Sequence, residues 1–141
     1  MMNALRTILL VEDNPDDEKL TIRALRQGNL ANEILAARNG EEALTILLNA
    51  DPLPCVVLLD LKLPKIDGLG VLRRIRTSEK TYLLPVVVLT SSSEDRDIIE
   101  SYSLGANSYV RKPVDIDQFT DAVRQLGLYW ALINQPLPGG L

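Results

Sequence analysis

VVLLDLKLPKIDG, residues 56–68, joins an apolar run to two aspartates. With Cys55 in front, CVVLLD (55–60) is apolar until its last residue, so neither of its faces expects water. A parallel strand covered on both sides reads this way, whereas a half-solvated strand alternates. ILLVE (8–12) and VVVLT (86–90) share that character, and EILAA (33–37) and NSYVR (107–111) complete a set of candidate strands. Segments of helical period lie between them: 16–27 before Gly28, 41–49 after the Asn39-Gly40 turn, 69–77 after Gly68, and 93–104 before Gly105. A last one begins near Asp115 and runs toward Asn134. Glu94, Asp95 and Asp97 fall where the fourth begins, which suits the helix dipole. This alternation predicts an α/β fold: a five-stranded doubly wound parallel sheet with right-handed crossovers and helices on both faces. Periodicity alone leaves the strand order open.

A chain of 141 residues is long enough for one domain with a real core. Hydrophobic residues at 46% and charged residues at 24% describe a globular chain. A net charge of −4 argues against a nucleic-acid partner. No run of eighteen apolar residues occurs, and the opening MMNALRT lacks the apolar core of a signal peptide, so the expectation is a cytoplasmic protein with no membrane span. One cysteine, Cys55, and no histidine exclude an intrachain disulfide framework, a Cys/His zinc site and any Ser-His or Cys-His nucleophile pair. Chemistry here must use carboxylates, lysine, hydroxyls or a metal. Residues 1–134 are expected to form a single domain, with DPLP (51–54) as a stiff connection and 135–141 as a disordered tail.

In open sheets of this kind the ligand site lies beyond the carboxyl ends of the strands. The first strand ends in Glu12-Asp13, the third in Asp60 and the fourth in Thr90-Ser91, while Lys112-Pro113 follows the fifth. Taken singly, each has a structural explanation: Asp60 could cap a turn, and Asp13 or Asn14 could cap the helix whose first turn holds Pro15. Their coincidence at carboxyl ends favours a shared site. Three clustered carboxylates raise one another's pKa unless a cation intervenes, and oxygen-only donors suit Mg²⁺. A metal held by Asp13 and Asp60, with Glu12 acting through water, would relieve the repulsion. Asp60 is then placed as a nucleophile able to form an aspartyl phosphate. Lys112 and the metal would balance charge on the transferring oxygens, and the Thr90 hydroxyl could hydrogen-bond one of them.

With these residues in place, the chain resembles the response-regulator receiver domains of two-component signalling. LLVEDN around Glu12 and Asp13, LLDLKLPKIDG around Asp60, VVVLTSS at Thr90 and SYVRKPV at Lys112 carry the resemblance, in that order, over residues 7–127. It implies a flavodoxin-like strand order and transfer of a phosphoryl group from a phosphohistidine of a sensor histidine kinase to Asp60. It also implies Mg²⁺ bound by Asp13, Asp60 and the backbone carbonyl of Lys62, and a switch in which Thr90 and Tyr109 rearrange on phosphorylation. Lys62 and Ser92 occupy positions that in the family tune the rate of phosphate loss. The acidic pair is Glu-Asp rather than two aspartates, and the longer Glu12 fits a water-mediated role. About 14 residues, 128–141, follow the match, too few for a DNA-binding module, so a stand-alone receiver is expected rather than an enzyme. VEDNPDD, the LxLPKxDG loop and LYWALINQPLP look most like the regulators paired with phytochrome-type light-sensing histidine kinases.

The strongest rival is a phosphohydrolase of the haloacid-dehalogenase type, which also uses a strand-end aspartate and Mg²⁺. Such enzymes resemble a DxD pattern with an acid/base aspartate second; that position here is Lys62. No GxGxxG or GxxxxGK stands at a strand-to-helix turn to support a nucleotide site. In the last helix Ile116, Phe119, Val123, Leu126, Trp130 and Ile133 recur at helical spacing. The first four suit a core stripe, whereas Trp130 and Ile133 lie beyond the expected sheet and predict a homodimer contact.

Overall fold

The computed structural model describes residues 7–27, 30–92, 94–113 and 115–125. Its elements alternate as read: β1 (Ile8–Val11), α1 (Pro15–Gln27), β2 (Ile34–Ala37), α2 (Gly40–Asn49), β3 (Val56–Leu59), α3 (Gly68–Thr77), β4 (Val86–Thr90), α4 (Asp95–Ser103), β5 (Ser108–Arg111) and α5 (Ile116–Gln125). All strands are parallel, in the order β2-β1-β3-β4-β5. The order reverses at β1, so the carboxyl ends of β1 and β3 flank the crevice where open sheets bind ligands. The expected end of the last helix, Trp130 and Ile133 with it, the tail and the Gly28 stop lie outside the described residues.

β1, β3 and β4 are buried at every position, which is why their sequences do not alternate. Successive side chains point to opposite faces and divide the core in two. Leu9, Val11, Val57, Leu59, Val86 and Val88 pack with Ala43 and Leu47 of α2 and Val71, Leu72 and Ile75 of α3. Ile8, Leu10, Val56, Leu58, Val87 and Leu89 pack with Leu25 of α1 and Phe119 and Ala122 of α5. Phe119 is fully buried and, at roughly 1.5–3 kcal/mol for a side chain of that size, is a main anchor of α5. β2, at the edge, alternates and leaves Leu35 exposed.

The helix ends follow their sequence signals. The Asn14 Oδ1 accepts from the backbone N–H groups of Asp16 and Asp17, so Asn14 rather than Asp13 caps α1. Asn39 caps α2 through the N–H of Glu42, and Asp67 caps α3 through that of Gly70. Gly105, at φ 97°, turns the chain out of α4 in the left-handed region open to glycine. At the opposite edge of the sheet from the strand carboxyl ends, Arg76 fixes α3. It donates to the carbonyls of Gly105, Tyr82 and Leu84 and to Asn107 Oδ1, and Asn107 Oδ1 also accepts from Val86 N–H.

Candidate functional site

Register brings the predicted residues together. Val11 pairs with Leu59 at the ends of β1 and β3, and Thr90 pairs with Arg111 at the ends of β4 and β5. The ladder continues one step past each strand: Glu12 N–H donates to Ala37, Asp60 N–H to Val11 and Lys112 N–H to Thr90, at 2.9, 3.1 and 2.9 Å. The sequence reading placed Glu12 and Asp60 inside their strands. They stand one residue beyond, still backbone-anchored but with side chains at the open edge.

Glu12 and Asp60 are nearly fully buried, at 2% and 6% exposure, and Asp13 is exposed beside them. One oxygen from each of the three carboxylates lies within 4.8 Å of the others. Lys112 is the cation that bridges this cluster: its Nζ donates to Glu12, to Asp60 Oδ2 at 3.0 Å and to Asp17 Oδ2 at 3.1 Å. Burial pushes the Glu12 carboxyl up to about 7; the Lys112 hydrogen bond opposes this and the Asp60 charge adds to it. Burial alone would lower the Lys112 pKa, but its bonds to Glu12 and Asp60 outweigh that and raise it. Glu12 is thus raised chiefly by its burial, whereas Lys112 is raised by the carboxylates that share its ammonium.

The loop after Asp60 is shaped by packing and close backbone approach. Leu61 is buried, and Leu63 and Ile66 pack against the same core face. Lys62 is exposed, and its N–H lies 3.4 Å from Asp60 Oδ1. Gly68 N–H donates to the Leu61 carbonyl at 2.9 Å. A Cβ on Gly68 would stand 2.2 Å from the Asp60 carbonyl oxygen and 2.6 Å from Leu61 Cα. One on Gly40 would stand 2.4 Å from the Ile66 carbonyl oxygen. These two glycines let α2 and α3 press the loop against the strand end that presents Asp60.

Thr90 is fully buried, and its Oγ1 accepts from Ser92 N–H at 3.3 Å. Tyr109 is half-buried and donates its hydroxyl to the Ser92 carbonyl at 2.9 Å. Burial raises the Tyr109 pKa. Two participants escaped the sequence reading, Asp17 on Lys112 and Asp97, which accepts from Ser92 Oγ at 2.5 Å. Both are acids in the first turn of a helix, where the dipole already accounts for them. The nearest signal was their placement on helices that start at the carboxyl edge.

Chemically the arrangement is a buried carboxylate with its lone pairs at an open edge, a cation on it, and further oxygen donors beside it. Clustered carboxylate oxygens with no nitrogen or sulfur donor among them fit a hard divalent cation. No described helix is long and apolar enough to cross a membrane.

Comparison with known proteins gives a coherent result. The family model for the response regulator receiver domain matches residues 8–124. The solved structure of the bacteriophytochrome response regulator AtBRR is 51% identical, covers 93% of this chain and 99% of its own, and superposes with a TM-score of 0.82. The probable methanogenesis regulatory protein FilR2 of Methanothrix harundinacea is 41% identical over 87% of this chain and 82% of its own length. Response regulator Rcp1 of Synechocystis is 35% identical over 91% and 90%. A structure of Rcp1 in its Mn²⁺-bound form, at 34% identity, covers 95% of this chain and 99% of its own with a TM-score of 0.73.

Proposed function

The chain belongs to the response-regulator receiver family, and from that premise we propose that Asp60 accepts a phosphoryl group from a phosphohistidine of a sensor histidine kinase. The observation that carries this reading is the Lys112 ammonium shared by Asp60 and Glu12 at two buried strand ends. An Asp60 oxygen forms the new O–P bond as the N–P bond breaks, and the departing imidazole takes a proton from solvent. Lys112 stays within reach of both the carboxylate and the incoming phosphoryl oxygens. The Thr90 hydroxyl turns from Ser92 N–H toward one of those oxygens, and Tyr109 follows. Asp13, Asp60 and the Lys62 carbonyl would hold Mg²⁺, with Glu12 acting through water. When bound, the cation offsets negative charge on the transferring oxygens. This is phosphoryl acceptance with slow self-hydrolysis rather than turnover of substrates.

The 51% identity to a bacteriophytochrome response regulator supports a phytochrome-type kinase as the donor. A cytoplasmic location belongs to the same reading. So does a homodimer through the last helix, supported by the apolar Trp130 and Ile133 in its sequence. Light scattering at high concentration that finds only monomer, with and without a phosphate mimic, would remove the dimer.

Incubation with phosphoramidate and Mg²⁺ tests the central step. One base-labile phosphoryl group per chain, blocked by chelator and lost in Asp60→Asn, supports it. Steady phosphate release from many phosphomonoesters would support the hydrolase instead.

A further inference from the structure

Three elements meet on one residue of the β4–α4 connection. Ser92 donates its N–H to Thr90 Oγ1 at 3.3 Å and its hydroxyl to Asp97 Oδ2 at 2.5 Å, and its carbonyl accepts from the Tyr109 hydroxyl at 2.9 Å. Its Oγ also accepts from Glu94 N–H at 3.2 Å. Every polar atom of Ser92 is engaged, and the two side chains of the proposed switch are among its partners. The bond to Asp97 is the strong one: a hydroxyl on a carboxylate at this length is charge-assisted, roughly twice as strong as a neutral pair. Thr90 cannot turn its hydroxyl away without releasing Ser92 N–H. Tyr109 cannot leave without giving up the Ser92 carbonyl.

We propose that Asp97 is a positioning residue that holds Ser92, and through it Thr90 and Tyr109, in the resting arrangement, and so sets how readily Asp60 is phosphorylated. The inference rests on the function proposed above. A site whose reactive arrangement is only fractionally populated reacts at a rate reduced by that fraction. Releasing Ser92 raises the fraction. Asp97 also sits in the first turn of α4, where its charge favours the helix, so substituting it has a second, purely structural effect. Ser92→Ala separates the two, because it removes the bond and leaves the charge. Asp95→Asn provides the converse, removing a charge from the same turn while Ser92 keeps its bonds to Thr90, Glu94, Asp97 and Tyr109.

The test is the rate of phosphoryl uptake from phosphoramidate with saturating Mg²⁺, read by quenched-flow intact mass. Asp97→Ala and Ser92→Ala should each react roughly ten to a hundred times faster than the parent chain, the range expected for loss of one charge-assisted hydrogen bond. The double variant should be no faster than either single one, since both break the same bond. Structural damage would slow the reaction, so acceleration separates the two roles. Unchanged or slower rates in both single variants overturn the proposal. So does a double variant whose effect is the product of the two, or an Asp95→Asn rate that rises equally. If the parent chain takes up no phosphoryl group at all, the function proposed above fails first and this inference falls with it.

Discussion

Replacing Lys112 by methionine removes the ammonium and keeps much of the apolar stem. In the parent chain Nζ bridges Glu12, Asp60 and Asp17, with side-chain exposures of 2%, 8% and 39%. Without it, the Glu12 and Asp60 carboxylates face each other with oxygens within 4.8 Å. Two unit charges at that distance repel by about 3 kcal/mol at an effective dielectric near 20. Removing one partner of a buried ion pair costs about 3–5 kcal/mol in general, so the two figures agree. The signs for pH follow from linkage. Glu12 has its pKa raised from 4.5 to about 7, so its contribution is fully present below 4.5 and is lost as pH rises through 7. Lys112 is raised from 10.5, so its contribution is present below 10.5 and lost only above that value. In the variant the Lys112 contribution is gone and Glu12 titrates higher still. Urea denaturation in chelator, followed by circular dichroism, should show a loss of about 3 kcal/mol near pH 8. That loss should shrink to about 1 kcal/mol near pH 5.5, where Glu12 takes up a proton. Millimolar Mg²⁺ near pH 8 should restore about 1–3 kcal/mol by mass action, since the cation replaces the missing positive charge. An equal loss at both pH values, with no restoration by Mg²⁺, would refute the counter-ion role and leave Lys112 a packing residue.

Asp60→Asn should stabilise the metal-free protein by about 1–3 kcal/mol in the same urea assay, because it removes the buried charge opposing Glu12 while Lys112 stays paired with Glu12 and Asp17. A loss of stability would count against mutual repulsion as a main electrostatic feature of the site. Gly68→Ala drives a Cβ into the Asp60 carbonyl at 2.2 Å, so a loss of at least about 1–3 kcal/mol is expected in thermal or urea unfolding. Metal binding to the folded variant should weaken as well, and an unchanged midpoint and metal affinity would contradict the close approach. Tyr109→Phe deletes the bond to the Ser92 carbonyl and should cost about 0.5–1.5 kcal/mol near neutral pH. The Tyr109 phenol has its pKa raised above 10.0, so its contribution is lost as pH climbs past the ordinary value. That alkaline part of the stability slope should be absent in Tyr109→Phe.

The fold was legible in the sequence because its central strands are covered on both faces. ILLV, VVLL and VVVLT admit no solvated side, and the helical segments between them left few arrangements. The convergence of Glu12, Asp60 and Lys112 was legible for the same reason. Parallel strands put their last residues at one edge, so residues far apart in sequence become neighbours. Strand order could be expected only by resemblance, because periodicity reports burial and not adjacency. Other features had no sequence signal of their own. Asp17 and Asp97 are ordinary first-turn acids until the fold brings Lys112 and Ser92 to them. Gly40 and Gly68 read as turn residues, yet both make room for the loop that carries Lys62. Asn14 was one of two equal candidates for the α1 cap, and only the direction of its side chain decides between them.

The central claim is that the carboxylate at the end of β3 becomes the phosphorylated group. The most direct measurement is chemical trapping of the labelled chain: phosphoramidate and Mg²⁺, then borohydride, then peptide mass spectrometry across residues 56–68. Reduction of an aspartyl phosphate leaves homoserine, so the account predicts homoserine at position 60 and unreduced Asp67 in the same peptide. Homoserine at Asp13, Asp67 or any other aspartate, with Asp60 intact, would contradict it.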